Sequence, residues 1–289
     1  MKKTILKQSQ HDFLVSTLVG IFGVLAMLHL AVVFPPPPTI LLLGLVQFLA
    51  QGLEVIAGFG SSAIGIPIMT MISDLSTAKA VAVAHTWLLA LYVIIVSGRD
   101  IAWRELGFIT LYVAFGFPVG MVFFKHMNPT FMMVILALFM VIAGWHGFYT
   151  TRRNHNHVQA STEQVNRSHL MRFILFLGGI IHGAFGSGGP LIVIYVSQAL
   201  KRKAIFRASL CMLWFGLNSL LLIQFTLDGV WMQNNCFTLY ATIATLPFLV
   251  LGIIVGGYLY HRVSEYAFRL IVFALLFGTG LFVLGTTVQ

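Results

Sequence analysis

The stretch "VIAGFGSSAIGIPIMT" (Val55–Thr70) places three glycines, two serines and a proline inside an otherwise apolar segment. Glycine permits tight turns that other residues resist, and proline removes a backbone donor from a helix. A single membrane helix would tolerate such a cluster poorly. The stretch therefore predicts two short helices joined by a turn, in place of one continuous helix.

A second stretch, "HGAFGSGGP" (His182–Pro190), repeats this pattern. Between and beyond the two, "DIAW" (Asp100–Trp103) resembles "DGVW" (Asp228–Trp231). Three glycines also recur at one constant offset in residue number, as Gly116/Gly252, Gly120/Gly256 and Gly144/Gly280. Three matches in the same order predict an internal duplication, a feature of many transporter folds. The pairs Gly116/Gly120 and Gly252/Gly256 are typical of close helix packing.

The composition indicates a membrane protein. The 289 residues are 58% hydrophobic and 9% charged, whereas soluble domains average about 25% charged residues. Apolar windows of about 20 residues, the length of a bilayer-crossing helix, occur several times. The net charge of +9 comes from Lys and Arg in short connections, so no nucleic-acid partner is predicted. The fold class expected is an all-α polytopic membrane protein.

Four regions are predicted along the chain. Residues 1–38 form an N-terminal helix and a Pro-rich spacer, 39–149 the first transport repeat, 150–169 a polar cytoplasmic loop, and 170–289 the second repeat. The apolar run Phe13–Phe34 follows three lysines and is longer than a signal-peptide core. It is expected to be retained as a helix in the inner membrane, with the N-terminus in the cytoplasm.

Basic residues predict how the two repeats insert. Positive charges flank 172–200 on both sides, whereas the connections around 39–73 carry few, with Lys79 the one Lys near 74–79. Because positive loops stay in the cytoplasm, each broken segment is expected to enter and return on one side. Three further helices per half then cross, in opposite orientations, which makes an inverted repeat. If each broken segment instead crosses once, the repeats are parallel.

The two breaks predict an anion site. The helix after each break begins with free N–H groups and the positive end of its dipole, and such N-termini bind anions. Two of them facing each other near the midplane would build one site from both repeats. The predicted lining is Gly58, Phe59, Gly60, Ser61 and Ser62 with Phe185, Gly186, Ser187, Gly188 and Gly189.

Polar residues near the breaks are candidates for proton coupling or for lining the site. Gln47, Gln51 and Glu54 share one helix face with Gly58. An acid within the membrane is by default a functional candidate; the alternative is a neutral structural acid bonded to a neighbouring helix. The further candidates are His182, which is close to the position of Glu54 in the other repeat, His85, Asn218 and Arg207, for which a positive-inside anchor is the favoured interpretation.

The motifs "GFGSSAIGIP" (Gly58–Pro67) and "HGAFGSGGP" (His182–Pro190), with the two-half layout, resemble the TauE/SafE sulfite-exporter family of permeases. The resemblance covers roughly residues 39–286. It implies transport of sulfite, a sulfonate or another small organosulfur or organic anion.

Secondary transport of a small anion across the bilayer, with a proton as the coupling ion, is the function expected. An anion channel is an alternative, and an intramembrane serine hydrolase using Ser187 with His182 or His85 is a weaker one. No catalytic residue, cofactor or metal site is predicted; His155 and His157 are interpreted as part of a solvated loop. The sequence predicts no oligomeric state.

Overall fold

The computed structural model describes residues 37–124, 129–153 and 169–287. These residues form eleven α-helices and no β-strand. The helices are α1 (Pro38–Ala57), α2 (Ser61–Thr70), α3 (Leu75–Ser97), α4 (Trp103–Phe124), α5 (Pro129–Arg153), α6 (His169–Phe185), α7 (Gly189–Ala199), α8 (Lys203–Leu227), α9 (Gln233–Ala244), α10 (Leu246–Arg262) and α11 (Glu265–Thr287). Six spans in the described residues are long and apolar enough to cross a membrane. The all-α polytopic fold class is confirmed.

Two parts of the predicted organisation lie outside the described residues: the helix at Phe13–Phe34, and the middle of the polar loop with His155 and His157. At the end of the Pro-rich spacer, α1 begins at Pro38. The last of the four prolines is therefore helical, because proline suits the first helical position, where its missing N–H would have no partner.

Both predicted breaks are present as helical hairpins, α1–α2 and α6–α7. The second member of each is short, with 10 residues in α2 and 11 in α7. At 1.5 Å per residue such a helix is about 15 Å long, roughly half of the hydrocarbon core. The short helices thus end inside the protein or return toward the side from which their hairpins came.

The structure adds a third break, which the sequence does not predict, between α9 and α10 at Thr245. Pro247 lies in the first turn of α10 and cannot donate a backbone hydrogen bond. The carbonyl of Thr242, just before the break, is hydrogen-bonded to the imidazole of His85 at 3.0 Å. A side chain of the first half is therefore hydrogen-bonded to a carbonyl at this break in the second half.

The central helices α3 and α8 pack antiparallel. Lys79, near the start of α3, lies over the ring of Phe225, near the end of α8. Arg207, near the start of α8, donates to Ser97 at the end of α3. Trp87 stacks on Phe215 between these ends, with 5.2 Å between ring centroids. Phe215 is the counterpart of Trp87, because their residue numbers differ by the same amount as those of Asp100 and Asp228 in the two "D-x-x-W" motifs. The two helices therefore meet near corresponding positions.

Helices α5 and α11 also run antiparallel in contact. Gly144 of α5 packs against Phe277 of α11, and Gly280 of α11 packs against Val141 of α5. The offset from Gly144 to Gly280 equals the offset from Val141 to Phe277. The contact is therefore reciprocal. Gly144 meets Phe277, and the counterparts of these two residues, Gly280 and Val141, also meet each other.

Two further helix–helix contacts, which we call the seams, hold the broken helices: α4 packs against α6, and α10 packs against α1. Gly116 and Gly120 of α4 face the backbone of α6, where a Cβ on Gly120 would lie 2.9 Å from Cα of Ile180. Gly256 of α10 faces α1, where a Cβ would lie 2.6 Å from the carbonyl oxygen of Gly52. Real Cβ atoms do not approach backbone this closely. These glycines have the packing role predicted from their spacing.

Candidate functional site

The first hairpin turns at Gly58–Gly60, which we call the first tip. Gly58 caps the C-terminus of α1 with φ 78° and donates its N–H to the carbonyl of Glu54 at 2.6 Å. Gly60 precedes α2 with φ 108°. Both values lie in the left-handed region that glycine adopts without strain. The glycines thus let the chain reverse direction within a short turn.

The second hairpin turns at Gly186–Gly188, the second tip. Gly186 directly follows the last residue of α6, has φ 68°, and donates its N–H to the carbonyl of His182 at 2.7 Å. The corresponding helix ends of the two hairpins are separated by one constant difference in residue number. This offset relates Gly58 to Gly186, and it also relates Ser61, which begins α2, to Gly189, which begins α7. We call it the structural offset.

The alignment of the two halves by their helix ends differs from the alignment by similar sequence motifs. The repeated Phe-Gly-Ser motif pairs Ser61 with Ser187, at an offset smaller than the structural one. In the structure Ser61 starts a helix, whereas Ser187 lies within the second tip. The first helix of each hairpin is followed by a left-handed glycine. This glycine precedes the motif phenylalanine in the first half and follows it in the second. The structural offset makes Glu54 and His182 counterparts.

Glu54 reaches from the last turn of α1 to the start of α2. Its carboxylate accepts hydrogen bonds from the Ser61 hydroxyl and from the Ser61 backbone N–H at 3.3 Å. The Thr86 hydroxyl is 3.5 Å away and is bonded to Ser61 at 2.8 Å. Glu54 is 2% exposed, and among the described residues no basic side chain pairs with it. The carboxylate therefore covers the positive end of α2.

His182 holds the equivalent place in the second half. Its Nδ1 accepts the backbone N–H of Gly188 at 3.2 Å, and its Nε2 lies 3.0 Å from the side-chain oxygen of Asn218. This arrangement assigns the proton to Nε2, since Nδ1 is an acceptor. No hydrogen bond joins Ser187 to this imidazole within the described chain. His182, one of the two candidate bases for a serine hydrolase, is thus engaged elsewhere.

Trp214 joins the two tips, whereas Thr86 bonds Ser61 and Glu54 within the first half, and the sequence predicts neither set of contacts. Thr86 and Trp214 are counterparts on α3 and α8, related by the structural offset. Trp214 donates its indole N–H to the carbonyl of Gly58 at 2.9 Å and stacks on His182, with 5.2 Å between ring centroids. One side chain therefore touches both halves of the site.

A cavity of about 20 Å³ lies between the tips. Its lining comes from both halves: Glu54, Phe59, Gly60, Ser62, Ala63, Thr86, His182, Gly186, Ser187, Gly189 and Trp214. A space of this size admits about one water molecule. Ser187 makes no hydrogen bond to any described residue, so its hydroxyl is available to the cavity.

An adjoining pocket of about 30 Å³ shares Ser62, Ala63 and Ser187 with the cavity. The rest of its lining is apolar and comes from α2, α5, α6 and α11: Ile66, Pro67, Met140, Phe185 and Val283. The two spaces together place polar donors beside a small apolar chamber.

The other predicted residues lie around this centre. Gly58, Ser61 and Gly188 are bonded to Trp214, Glu54 and His182 respectively, and Phe185 lines the apolar pocket. Asn218 contacts His182. The structure does not bring Gln47, Gln51, His85 or Arg207 to the cavity. Gln51 bonds Gln47, which bonds the sulfur of Met69; His85 bonds the break at Thr242, and Arg207 bonds Val55.

The comparisons with known proteins agree with this architecture. The model of the sulfite exporter TauE/SafE family matches residues 40–283. The chain belongs to this family. A curated relative, the probable inner membrane transporter protein TsaS of Comamonas testosteroni, is 21% identical over 183 residues, which cover 63% of this chain and 72% of the relative. No solved structure matches the chain.

Membership of the TauE/SafE family makes this chain a multi-pass membrane transporter, and not an enzyme. The resemblance predicted from the two glycine-rich motifs is confirmed. As a transporter of the TauE/SafE family, it handles a small substrate within the lipid bilayer.

Proposed function

We propose that this protein is a secondary transporter of a small anion, of the class of sulfite, sulfonates and related organosulfur or organic anions. The observation that carries the proposal is the cavity between the two tips, where the starts of α2 and α7 meet. Helix N-termini offer N–H groups and positive potential. Ser62 and Ser187 add hydroxyl groups to the same space.

We propose that the halves, 39–149 and 170–289, are inverted repeats. The antiparallel packing of α3 with α8, and of α5 with α11, supports this. Two corresponding membrane helices that pack antiparallel are related by an axis in the membrane plane, as in many alternating-access transporters. Parallel repeats would bring corresponding helices together pointing the same way. The basic connections support a cytoplasmic location for the N-terminus and for the flanks of α6–α7 in an inner-membrane protein.

We propose that Glu54 couples transport to protons by competing with the substrate. When it is ionised, its carboxylate is itself an anion at the start of α2, where it is bonded to Ser61. A substrate anion needs the same N–H and hydroxyl groups. When Glu54 takes up a proton it loses its charge and its hold on these donors weakens, so one proton and one anion are carried together.

The cavity in this conformation is too small for a substrate, because it has the volume of about one water molecule. An anion of several atoms must therefore enter after the tips move apart, which favours alternating access over a standing pore. Uptake that saturates with anion concentration, and that needs a pH gradient, distinguishes the carrier from a channel.

Anion flux in proteoliposomes tests the proposed function. We expect saturable uptake of sulfite or a short sulfonate, driven by an inward proton gradient. Removal of the free hydroxyl in Ser187→Ala should raise KM about tenfold, the effect of one charge-assisted hydrogen bond. Ser219→Ala, outside the cavity lining, is the matched control. Protein that shows no flux with any of these anions, while thermal shifts show no binding, would refute the proposal.

The apolar pocket predicts a preference among sulfonates. Each buried CH2 group contributes about 0.8 kcal/mol, so KM should fall about fourfold from methane- to ethanesulfonate. Val283→Ala enlarges this pocket without touching the polar cavity. We expect the variant to favour propane- or butanesulfonate and to transport sulfite unchanged. Equal changes for sulfite and for the sulfonates would show that the pocket does not hold the substituent.

A further inference from the structure

Two basic side chains occupy corresponding positions outside the cavity. Lys79 on α3 and Arg207 on α8 are related by the structural offset, the same one that relates Gly58 to Gly186. The sequence assigns Lys79 to a connection, but the structure places it in the second turn of α3. Because α3 and α8 are antiparallel, these residues lie at opposite ends of the central helix pair.

Lys79 is attached to the end of α6. It is 7% exposed, and its Nζ donates to the carbonyl of Ala184 at 2.6 Å, one residue before α6 ends. The ring of Phe225 lies 5.6 Å from the same nitrogen, and the charge of Asp228 acts on it. Lys79 thus ties the second tip, which belongs to the second half, to a helix of the first half.

Arg207 is attached in the same way to the end of α1. Its guanidinium donates to the carbonyl of Val55 at 3.3 Å and to the hydroxyl of Ser97 at 3.2 Å, and it lies 3.7 Å from the ring centroid of Tyr260. A Cβ on Gly58 would meet Cα of Arg207 at 3.1 Å, so the first tip rests directly on α8. Arg207 thus ties the first tip to a helix of the second half.

Both contacts have the same physical basis. The last carbonyls of a helix lack partners within the helix and carry the negative end of its dipole. Inside a membrane such groups need a donor from the protein. Each half supplies a cation that satisfies the broken helix of the other half, so each contact crosses the interface between the repeats.

We propose that Lys79 and Arg207 are a matched pair of positioning residues, each of which holds closed one of two routes to the cavity, on opposite sides of the membrane. This inference rests on the proposed alternating access. Release of Arg207 from Val55 frees the first tip and opens the cytoplasmic route. Release of Lys79 from Ala184 frees the second tip and opens the external route.

Thiol labelling from each side of the membrane tests the pair without the need for a substrate. Ala63 lines both the cavity and the apolar pocket, so Ala63→Cys in the full chain with Cys211→Ala and Cys236→Ser serves as the reporter. A membrane-impermeant maleimide is applied to right-side-out and to inside-out vesicles. We expect about tenfold faster labelling from the cytoplasmic side in Arg207→Met, and from the external side in Lys79→Met, as the open populations rise.

The conservative variants Lys79→Arg and Arg207→Lys should label like the reporter alone, because a donor for the carbonyl is retained. If a Met variant does not fold, Phe225→Leu and Ser97→Ala weaken the same two attachments and should show the same sidedness with a smaller change. Labelling of both variants from one side, or at unchanged rates, overturns the inference. Sided labelling without anion flux would instead contradict only the proposed substrate.

Discussion

Replacement of Glu54 by Gln is expected to separate binding from coupling. Gln is close in shape to a protonated Glu and carries no charge, so it competes weakly for the donors of Ser61. The substrate anion should then bind about tenfold more tightly at alkaline pH, the effect of one charge-assisted hydrogen bond. Proton-driven uptake should fall to the level of protein-free liposomes, since the variant has no proton to carry at this position.

Two measurements on the same preparation check this result. Thermal shift against sulfite or a short sulfonate, over a range of pH, reports binding to the folded protein. Uptake with and without a pH gradient reports coupling, and counterflow of labelled anion should persist because it needs no net proton movement. Glu105→Gln is the matched control: this carboxylate on α4 accepts a hydrogen bond from Tyr195 at 2.9 Å, away from the cavity.

The possible outcomes distinguish the roles of Glu54. Tighter binding with lost coupling supports competition between carboxylate and substrate. A variant that loses binding, coupling and thermal stability together would make Glu54 a structural acid, the alternative interpretation of a buried carboxylate. A variant that keeps proton-driven uptake would transfer the coupling role to another group, and His182, at the corresponding position of the second half, would be the first to examine.

Much of the fold could be predicted because it depends on residue types that have few other uses in a membrane. Glycines beside serines within apolar segments indicate breaks, and Glu54 is a rare acid among apolar neighbours. The polytopic all-α class follows from the hydropathy alone. These features depend on local chemistry, which the sequence displays directly.

What the sequence could not provide is register between distant segments. The similar sequence motifs pair Ser61 with Ser187. Helix ends depend on backbone conformation, however, and the structure pairs Gly58 with Gly186. The contacts of Thr86 and Trp214 depend on how α3 and α8 face the tips. Lys79 resembles a residue of a basic connection until the structure shows its partner, Ala184.

The glycines of the two seams provide the second large effect. We expect Gly120→Ala and Gly256→Ala to lower thermal stability markedly, because the added Cβ would meet the backbone of α6 or of α1. Overpacking of this kind costs about 1–3 kcal/mol, and a backbone neighbour cannot move aside as a flexible side chain can. Substitution of a helical glycine by alanine otherwise favours the helix by about 1 kcal/mol. A decrease in thermal stability, instead of an increase, would therefore itself indicate the close backbone contact.

Each variant has a control in its own helix. A Cβ on Gly107 of α4 or on Gly257 of α10 meets nothing within 4 Å, so Gly107→Ala and Gly257→Ala should leave the melting temperature in detergent unchanged or higher. If Gly256→Ala and its neighbour Gly257→Ala behave alike, the close approach of α10 to α1 is not what stabilises the fold.

The seam variants should also impair transport in the fraction that folds, because the seams position the broken helices. Gly120 packs against α6, which carries His182, and Gly256 packs against α1, which carries Glu54. A shift of either broken helix by part of an ångström would misalign its tip, and a cavity of about 20 Å³ has no room for such a shift. Initial uptake rates per folded protein, normalised by gel filtration, measure this effect. Full uptake in a destabilised Gly256→Ala protein would show that the tips are set by α3 and α8 alone, and that the seams contribute only stability.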